Sequence, residues 1–186
     1  MKTNTPKWII IHHEGAYNGF ESVDRTHRNN PNVWLGHYSE LGHAMGYQHY
    51  MDTKGKVTQA RLDREEGAHT RGMNRSSLGI CLMGNFNKYD PTEAQEVSLK
   101  KYIIFYMKKY NIPLKRVVPH RFFSKTDCYG TRLSDSWAMD LVKAEDLKPN
   151  NKQIKLFKKK IGIIEKMIQI YVALKALYEE SRKSNK

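Results

Sequence analysis

The sequence predicts a mixed α/β fold followed by a C-terminal amphipathic helical extension, and three observations support this class. Compact β-branched or apolar runs at residues 7–13 and 77–86 are typical of buried strands. Residues 90–110 carry the start and stop signals of a long helix. From residue 153 onward, apolar residues recur at spacings of three and four, as on one face of a helix.

The first half of the chain alternates short strand signals with loop-rich segments. "KWIIIHH" (7–13) is interpreted as a central strand that ends in a His pair. Residues 15–46 are rich in Gly, Asn, His and Pro, so most of this segment is predicted to be an extended surface loop, with a helix favoured around "ESVDRTHR". "YQHYMDTKGKVTQAR" predicts two strands joined by a turn at Thr53 to Lys56, where Gly55 can adopt a positive φ.

The second half begins with the clearest helix signal in the chain. Asp90 and Pro91 open the helix, Thr92 can cap it with Gln95 three residues later, and Pro113 ends it. "RVVPH" predicts a short strand, and "LSDSWAMDLVKA" predicts a closing helix.

The polar segment "EDLKPNNK" predicts a linker, which divides the chain into a first domain at 1–146 and a basic extension at 147–186. Residues 151–186 contain 10 Lys and Arg against 3 Glu, which gives about half of the formal net charge of +13. Two apolar stripes give the extension a wide apolar face: Ile154, Phe157, Ile161, Ile164, Ile168 and Tyr171, and Ile163, Met167, Ile170, Leu174 and Leu177.

Composition restricts the class of protein. The chain is 39% hydrophobic and 11% aromatic, which indicates a folded chain rather than a disordered one. Its two cysteines exclude a disulfide scaffold, and the polar start "MKTNTPKW" predicts synthesis in the cytoplasm without a signal peptide. The excess positive charge favours a polyanionic partner: nucleic acid, an anionic membrane or a bacterial cell wall.

Three residues could together hold a metal ion. His12 stands at the end of the predicted central strand, and "PHRFFSKTDCYG" (119–130) supplies His120 and Cys128. Two imidazoles and one thiolate suit Zn²⁺ and leave a fourth position for water, as in catalytic rather than structural zinc sites. Spacing alone also fits a loop histidine, a buried small cysteine and a core histidine.

Four ordered blocks make the interpretation more specific: "WIIIHHEGA", "GYQHYMDTKGKV", "GAHTRGMNRSSLGICLMGNF" and "PHRFFSKTDCYG". In order and separation they resemble the zinc-dependent N-acetylmuramoyl-L-alanine amidases of the phage-lysozyme and peptidoglycan-recognition-protein family, over roughly residues 7–140. The resemblance implies a central mixed β-sheet flanked by helices, one zinc ion, and cleavage of the amide between N-acetylmuramic acid and L-alanine in peptidoglycan.

The resemblance also implies roles for single residues. His12, His120 and Cys128 match the zinc ligands, Tyr47 matches a catalytic tyrosine, and Thr126 falls where members carry lysine or threonine. The implied mechanism is attack of zinc-activated water on the lactyl carbonyl, with the developing oxyanion stabilised by zinc and with help from Tyr47 and Thr126 as catalytic residues. Tyr47 could alternatively be a half-buried aromatic residue with a polar tip.

Other residues in these blocks receive weaker assignments. Glu14 departs from the family pattern, and the hypothesis is that it acts as a general base or orients a ligand; the alternative is a solvated carboxylate at a strand end. His69 and Asn74 lie in the block that lines the substrate groove in relatives, so they are predicted to bind substrate, or else to serve a surface loop. Cys81 is interpreted as buried and inert, and His13 as a core residue.

We therefore expect a peptidoglycan-degrading amidase, of the phage endolysin type, that is made in the host cytoplasm and acts on the cell wall. The alternatives are a non-catalytic peptidoglycan-binding module and, less consistent with the four blocks, a nucleic-acid-binding protein. For the extension, three interpretations stay open: a helix that folds back or self-associates, a basic helix that binds anionic lipid or wall polymer, and nucleic-acid binding.

Overall fold

Two compact units make up the protein, Met1–Asp146 and Leu147–Lys186. The assignment of an enzymatic domain to the first and a basic extension to the second stays a prediction. The computed structural model describes residues 3–30, 38–143, 146, 159 and 161–171.

The described part of the first unit alternates strands and helices, which is the organisation expected from the sequence. In chain order its elements are β1 (Trp8–His13), α1 (Phe20–Asn29), β2 (His49–Met51), β3 (Val57–Gln59), β4 (Ser77–Leu82), α2 (Glu93–Tyr110), β5 (Val117–Pro119) and α3 (Trp137–Asp140). Short 3₁₀ turns at Leu114–Arg116 and His120–Phe122 flank β5.

These strands form one mixed sheet in the order β3-β2-β4-β1-β5. β1 pairs in parallel with both β4 and β5, and β2 pairs in parallel with β4, whereas β3 is antiparallel to β2. The β2–β3 hairpin turns through Gly55, whose φ of 78° is the positive value expected from the sequence. The predicted mixed α/β class with a central mixed sheet is confirmed.

Each face of the sheet packs against a helix. Ile9 and Ile11 of β1 belong to the larger cluster, which includes Leu99 and Ile103 of α2. On the opposite face a smaller cluster of Met45, Tyr50, Ala60 and Cys81 packs against Phe20 and Val23 of α1. Because side chains alternate along a strand, His12 projects to the α1 face.

The predicted capping box at the start of α2 is confirmed. The Gln95 backbone N–H donates to Thr92 Oγ1 at 3.1 Å, and the Thr92 N–H donates back to Gln95 Oε1 at 3.1 Å. The helix ends at Tyr110, where Asn111 adopts a left-handed conformation with φ of 53°. This cap fixes the helix that covers the larger cluster.

Two expectations were less accurate. In the segment 15–46 the helix favoured around "ESVDRTHR" is present as α1 (Phe20–Asn29), whereas Ala44–Gly46 are buried and are not part of an extended surface loop. The closing helix predicted from "LSDSWAMDLVKA" is one turn long, Trp137–Asp140, and Ser136 Oγ donates to Asp140 Oδ2 at 2.7 Å across that turn.

The described part of the second unit is helical over residues 161–171. Seven apolar side chains there are between 41% and 67% exposed: Ile161, Ile163, Ile164, Met167, Ile168, Ile170 and Tyr171. Both predicted stripes pass through this segment; their members Ile154, Phe157, Leu174 and Leu177 lie outside the described residues, as does most of the predicted linker. None of the helices in the described ranges has the length and hydropathy needed to cross a membrane.

Candidate metal centre

Parallel pairing of two strands brings two of the predicted ligands together. β1 and β5 are in register with Ile11 opposite Pro119, so the next residues, His12 within β1 and His120 just after β5, lie side by side. Their ring centroids are 4.5 Å apart. Cys128 approaches from the loop after β5, and its Sγ accepts the backbone N–H of His13 at 3.4 Å.

The three side chains form a compact donor set. One ligand atom from each of His12, His120 and Cys128 lies within 4.8 Å of the others. The distance from His12 Nδ1 to Cys128 Sγ is 3.6 Å. With Zn–S of about 2.3 Å and Zn–N of about 2.0–2.1 Å, two ligands of a tetrahedral zinc ion lie about 3.6 Å apart. The donor chemistry and this spacing both fit a zinc ion.

A metal ion binds a neutral histidine ring, and burial favours this neutral form in both donor histidines. Burial lowers the pKa of His12 well below its usual value, and it lowers the pKa of His120 as well. Both rings are therefore neutral and keep a lone pair at neutral pH. Burial raises the pKa of Cys128 to about 11, so this group needs an adjacent cation to become a thiolate.

A chain of hydrogen bonds orients the His12 ring from behind. When Nδ1 is left for a cation, His12 Nε2–H donates to His69 Nδ1 at 3.1 Å. His69 Nε2 then faces Ser77 Oγ at 3.4 Å, and Ser77 donates to the Met73 carbonyl at 2.8 Å. Such outer hydrogen bonds fix the tautomer and direction of a metal-binding histidine.

The position of His69 depends on a glycine of β4. A Cβ added to Gly79 would lie 2.7 Å from the His69 ring, so the missing side chain makes room for this histidine against the sheet. Asn74 holds the same segment, because its Oδ1 accepts the backbone N–H groups of His69 and Thr70 at 2.9 and 2.8 Å. The substrate-binding role predicted for His69 and Asn74 stays a prediction. In the structure, His69 contacts the His12 ring, and Asn74 holds the backbone of the His69 segment.

Tyr47 lies beside the donor set. Its ring centroid is 4.8 Å from that of His12. Burial, with the nearby Cys81 and Cys128 thiols, raises the pKa of the Tyr47 hydroxyl well above its usual value. The group therefore remains protonated at neutral pH and can donate a hydrogen bond.

Helix α1 fixes the segment that leads into Tyr47. Asp24 is buried and accepts the N–H groups of Ala44 and Met45 at 2.7 and 2.8 Å. One turn later, His27 Nδ1 accepts the Gly46 N–H at 2.8 Å. Sequence reasoning did not identify Asp24 or His27, because both are polar residues on a mostly polar helix, where a buried polar side chain cannot be told from an exposed one; their spacing of three was the available signal.

The remaining predicted catalytic residues lie at the margin of the donor set. Thr126 is exposed, and its Oγ1 accepts the Cys128 N–H at 3.3 Å, so it orders the loop that carries the thiol. Glu14 accepts a hydrogen bond on each carboxylate oxygen, from the Tyr50 hydroxyl at 2.5 Å and from the Asn18 N–H at 2.7 Å. Catalytic roles for both residues stay predictions. As expected, His13 points to the other face of the sheet, where its ring packs near Phe86.

A buried mixed sheet with a His–His–Cys donor set at one end of its parallel strands is typical of a metal-dependent hydrolase. The sequence profile of the N-acetylmuramoyl-L-alanine amidase family matches residues 2–131. The chain belongs to this family.

Individual relatives include both enzymes and recognition proteins. The chain is 30% identical over 129 residues to peptidoglycan-recognition protein 2 of Holotrichia diomphalia, covering 68% of each chain. It is 32% identical over 71 residues to the endolysin of Escherichia phage T7, covering 36% of this chain and 47% of the endolysin. Among solved structures, the N-acetylmuramoyl-L-alanine amidase LysC of Clostridium intestinale superposes with a TM-score of 0.64 at 26% identity, covering 75% of this chain and 88% of LysC.

Proposed function

We propose that this protein is a zinc-dependent N-acetylmuramoyl-L-alanine amidase that cleaves the bond between N-acetylmuramic acid and L-alanine in peptidoglycan. The observation that carries the proposal is the compact donor set of His12, His120 and Cys128, whose ligand atoms lie within 4.8 Å of one another and whose His12 ring lies beside Tyr47. Membership of the amidase family and the likeness to LysC support the same reaction.

The chain's own residues divide the work. Zinc held by the three donors would supply a Lewis acid that polarises the carbonyl and acidifies water. Tyr47, protonated at neutral pH, donates a hydrogen bond to the oxygen that becomes negative in the transition state. His69 holds the His12 ring in its tautomer, and Thr126 orders the Cys128 loop while its own hydroxyl hydrogen stays available as a donor.

The test is digestion of purified peptidoglycan with and without chelator, followed by mass analysis of the fragments. We expect free stem peptides that begin with L-alanine, loss of activity after chelation, and recovery with added zinc. His120→Ala should remove stoichiometric zinc and lower turnover more than 100-fold, whereas the matched change His43→Ala, outside the donor set, should keep both. Fragments cut between sugars, or activity indifferent to chelation, would contradict the proposal.

The same experiment addresses the alternative of a non-catalytic peptidoglycan-binding module. The peptidoglycan-recognition relatives make this alternative relevant. Such a module would sediment with peptidoglycan after His120→Ala and release no fragments from the wild-type chain. Retention of the cysteine donor favours the enzyme, because the thiolate completes the metal site.

We further propose that the enzyme lyses a bacterial host as an endolysin, in line with the match to the phage T7 endolysin. Expression in the cytoplasm of a susceptible bacterium should then cause lysis once the inner membrane is permeabilised. Cells expressing His120→Ala should remain intact under the same treatment. Equal lysis by both proteins would assign the effect to something other than amide cleavage.

A further inference from the structure

A cleft of about 180 Å³ opens next to the candidate metal centre, between α1 and the ends of β1 and β4. It reaches Tyr47, whose ring contacts His12, so a molecule bound at the centre can extend into it. Asn18, Ser22 and Thr26 give the α1 side a polar lining. The cleft is thus a place for a substituent of the substrate.

The electrostatic character of the cleft is opposite to that of the whole chain. Among the described residues that line it, Glu14 carries the one carboxylate, and neither lysine nor arginine takes part. His27 also lines it; its Nδ1 accepts the Gly46 N–H, and burial lowers the pKa of the ring, so it is neutral. In a protein of formal net charge +13, this cleft carries a single negative charge.

The Glu14 carboxylate is held in place. The Tyr50 hydroxyl donates to Oε2 at 2.5 Å, the Asn18 N–H donates to Oε1 at 2.7 Å, and the Glu14 N–H itself donates to the Leu82 carbonyl at 2.8 Å. A carboxylate has about four acceptor positions, so about two remain for a ligand. A fixed carboxylate with free acceptor positions is suited to a cation that donates several hydrogen bonds, because little order is lost on binding.

We propose that this cleft binds an alkylammonium group of the substrate and that Glu14 is its counter-ion. The inference rests on the proposed function, since in peptidoglycan this group is the side-chain amine of a diamino acid in the stem peptide. Glu14 is then a specificity residue that favours stems with a free amine, and stems whose amine is acylated bind more weakly. A lysine-type and a diaminopimelate-type stem both offer the required amine.

The test compares two soluble muropeptides that differ in one feature, a free or an N-acetylated side-chain amine. For the wild-type enzyme we expect acetylation to raise KM at least fivefold with little change in kcat. Glu14→Gln should raise KM for the free-amine substrate by a similar factor and abolish the discrimination. Tyr50→Phe, which keeps the carboxylate and removes one of its hydrogen bonds, should retain the discrimination.

The outcomes separate this inference from the proposed function. Equal KM values of the wild-type enzyme for both muropeptides would overturn the ammonium subsite while leaving the amidase intact, and this comparison needs no variant. A Glu14→Gln enzyme that loses kcat on both substrates would assign Glu14 to catalysis and overturn the inference. If the wild-type enzyme cleaved the amide in neither of the two muropeptides, that result would contradict the proposed function itself.

Discussion

His49 makes the stability of the first unit dependent on pH. This residue of β2 is buried, and its Nδ1 and Nε2 contact the hydroxyls of Tyr102 and Tyr106 of α2 at 2.9 Å each. Burial lowers the pKa of His49 to about 4, although Asp63 nearby opposes the shift and Lys109 adds to it. The ring therefore joins sheet and helix in its neutral form.

The direction and size of the effect follow from the two pKa values. The unfolded chain has a histidine pKa of about 6.5, so between pH 6.5 and 4 it binds a proton that the folded protein does not. The free energy of unfolding therefore falls as the pH falls through this window. Linkage gives a loss of about 2 kcal/mol between pH 7.5 and 5, and about 3 kcal/mol in the limit below pH 4.

Urea unfolding of the metal-free protein at pH 7.5 and 5.0 measures this loss. Between pH 7.5 and 5.0 the free energy of unfolding of the wild-type protein should fall by about 2 kcal/mol more than that of His49→Gln. The other buried histidines titrate in both proteins, so their contribution cancels from the difference. Chelator in both buffers removes the contribution of metal release at acid pH. Parallel losses in the two proteins would refute the assignment of this proton to His49.

Three further predictions concern other parts of the chain. His69→Ala should weaken zinc binding about 10- to 100-fold in competition with a chromogenic chelator, and Gly79→Ala should weaken it in the same direction because its methyl group would displace the His69 ring. Thr92→Ala should lower the free energy of unfolding by about 1 kcal/mol in urea, since the α2 cap is lost. A chain that ends at Asp146 should cleave soluble muropeptides at the wild-type rate, because every predicted site residue lies in the first unit; vesicle and cell-wall sedimentation would report any role of the extension.

Each of these predictions has a contradicting result. Unchanged zinc affinity in His69→Ala would show that the His12 ring is held without its hydrogen bond. An unchanged urea midpoint in Thr92→Ala would show that the end of α2 frays in the native protein. Loss of soluble-substrate turnover on truncation would place a part of the extension in the catalytic machinery.

Some elements could be predicted because their signals are local. The β-branched run of β1 and the Thr92–Gln95 capping box depend on neighbouring residues, and both occur where expected. Helix α1 also occurs where a helix was favoured, but the burial of Asp24 was not predicted, because this side chain is buried by accepting two backbone N–H groups, which an apolar period does not reveal.

In the candidate site, too, the sequence predicts the residue types, whereas their proximity depends on how the strands pair. No spacing in the sequence brings His12 next to His120, since 108 positions separate them; the parallel register of Ile11 with Pro119 does so. The family resemblance implied the donor set, yet it assigned no role to Glu14. The structure places this carboxylate in a cleft that opens beside Tyr47, where two hydrogen bonds hold it. A cleft that presents one fixed carboxylate next to the candidate metal centre is where an amidase can acquire a substrate preference of its own.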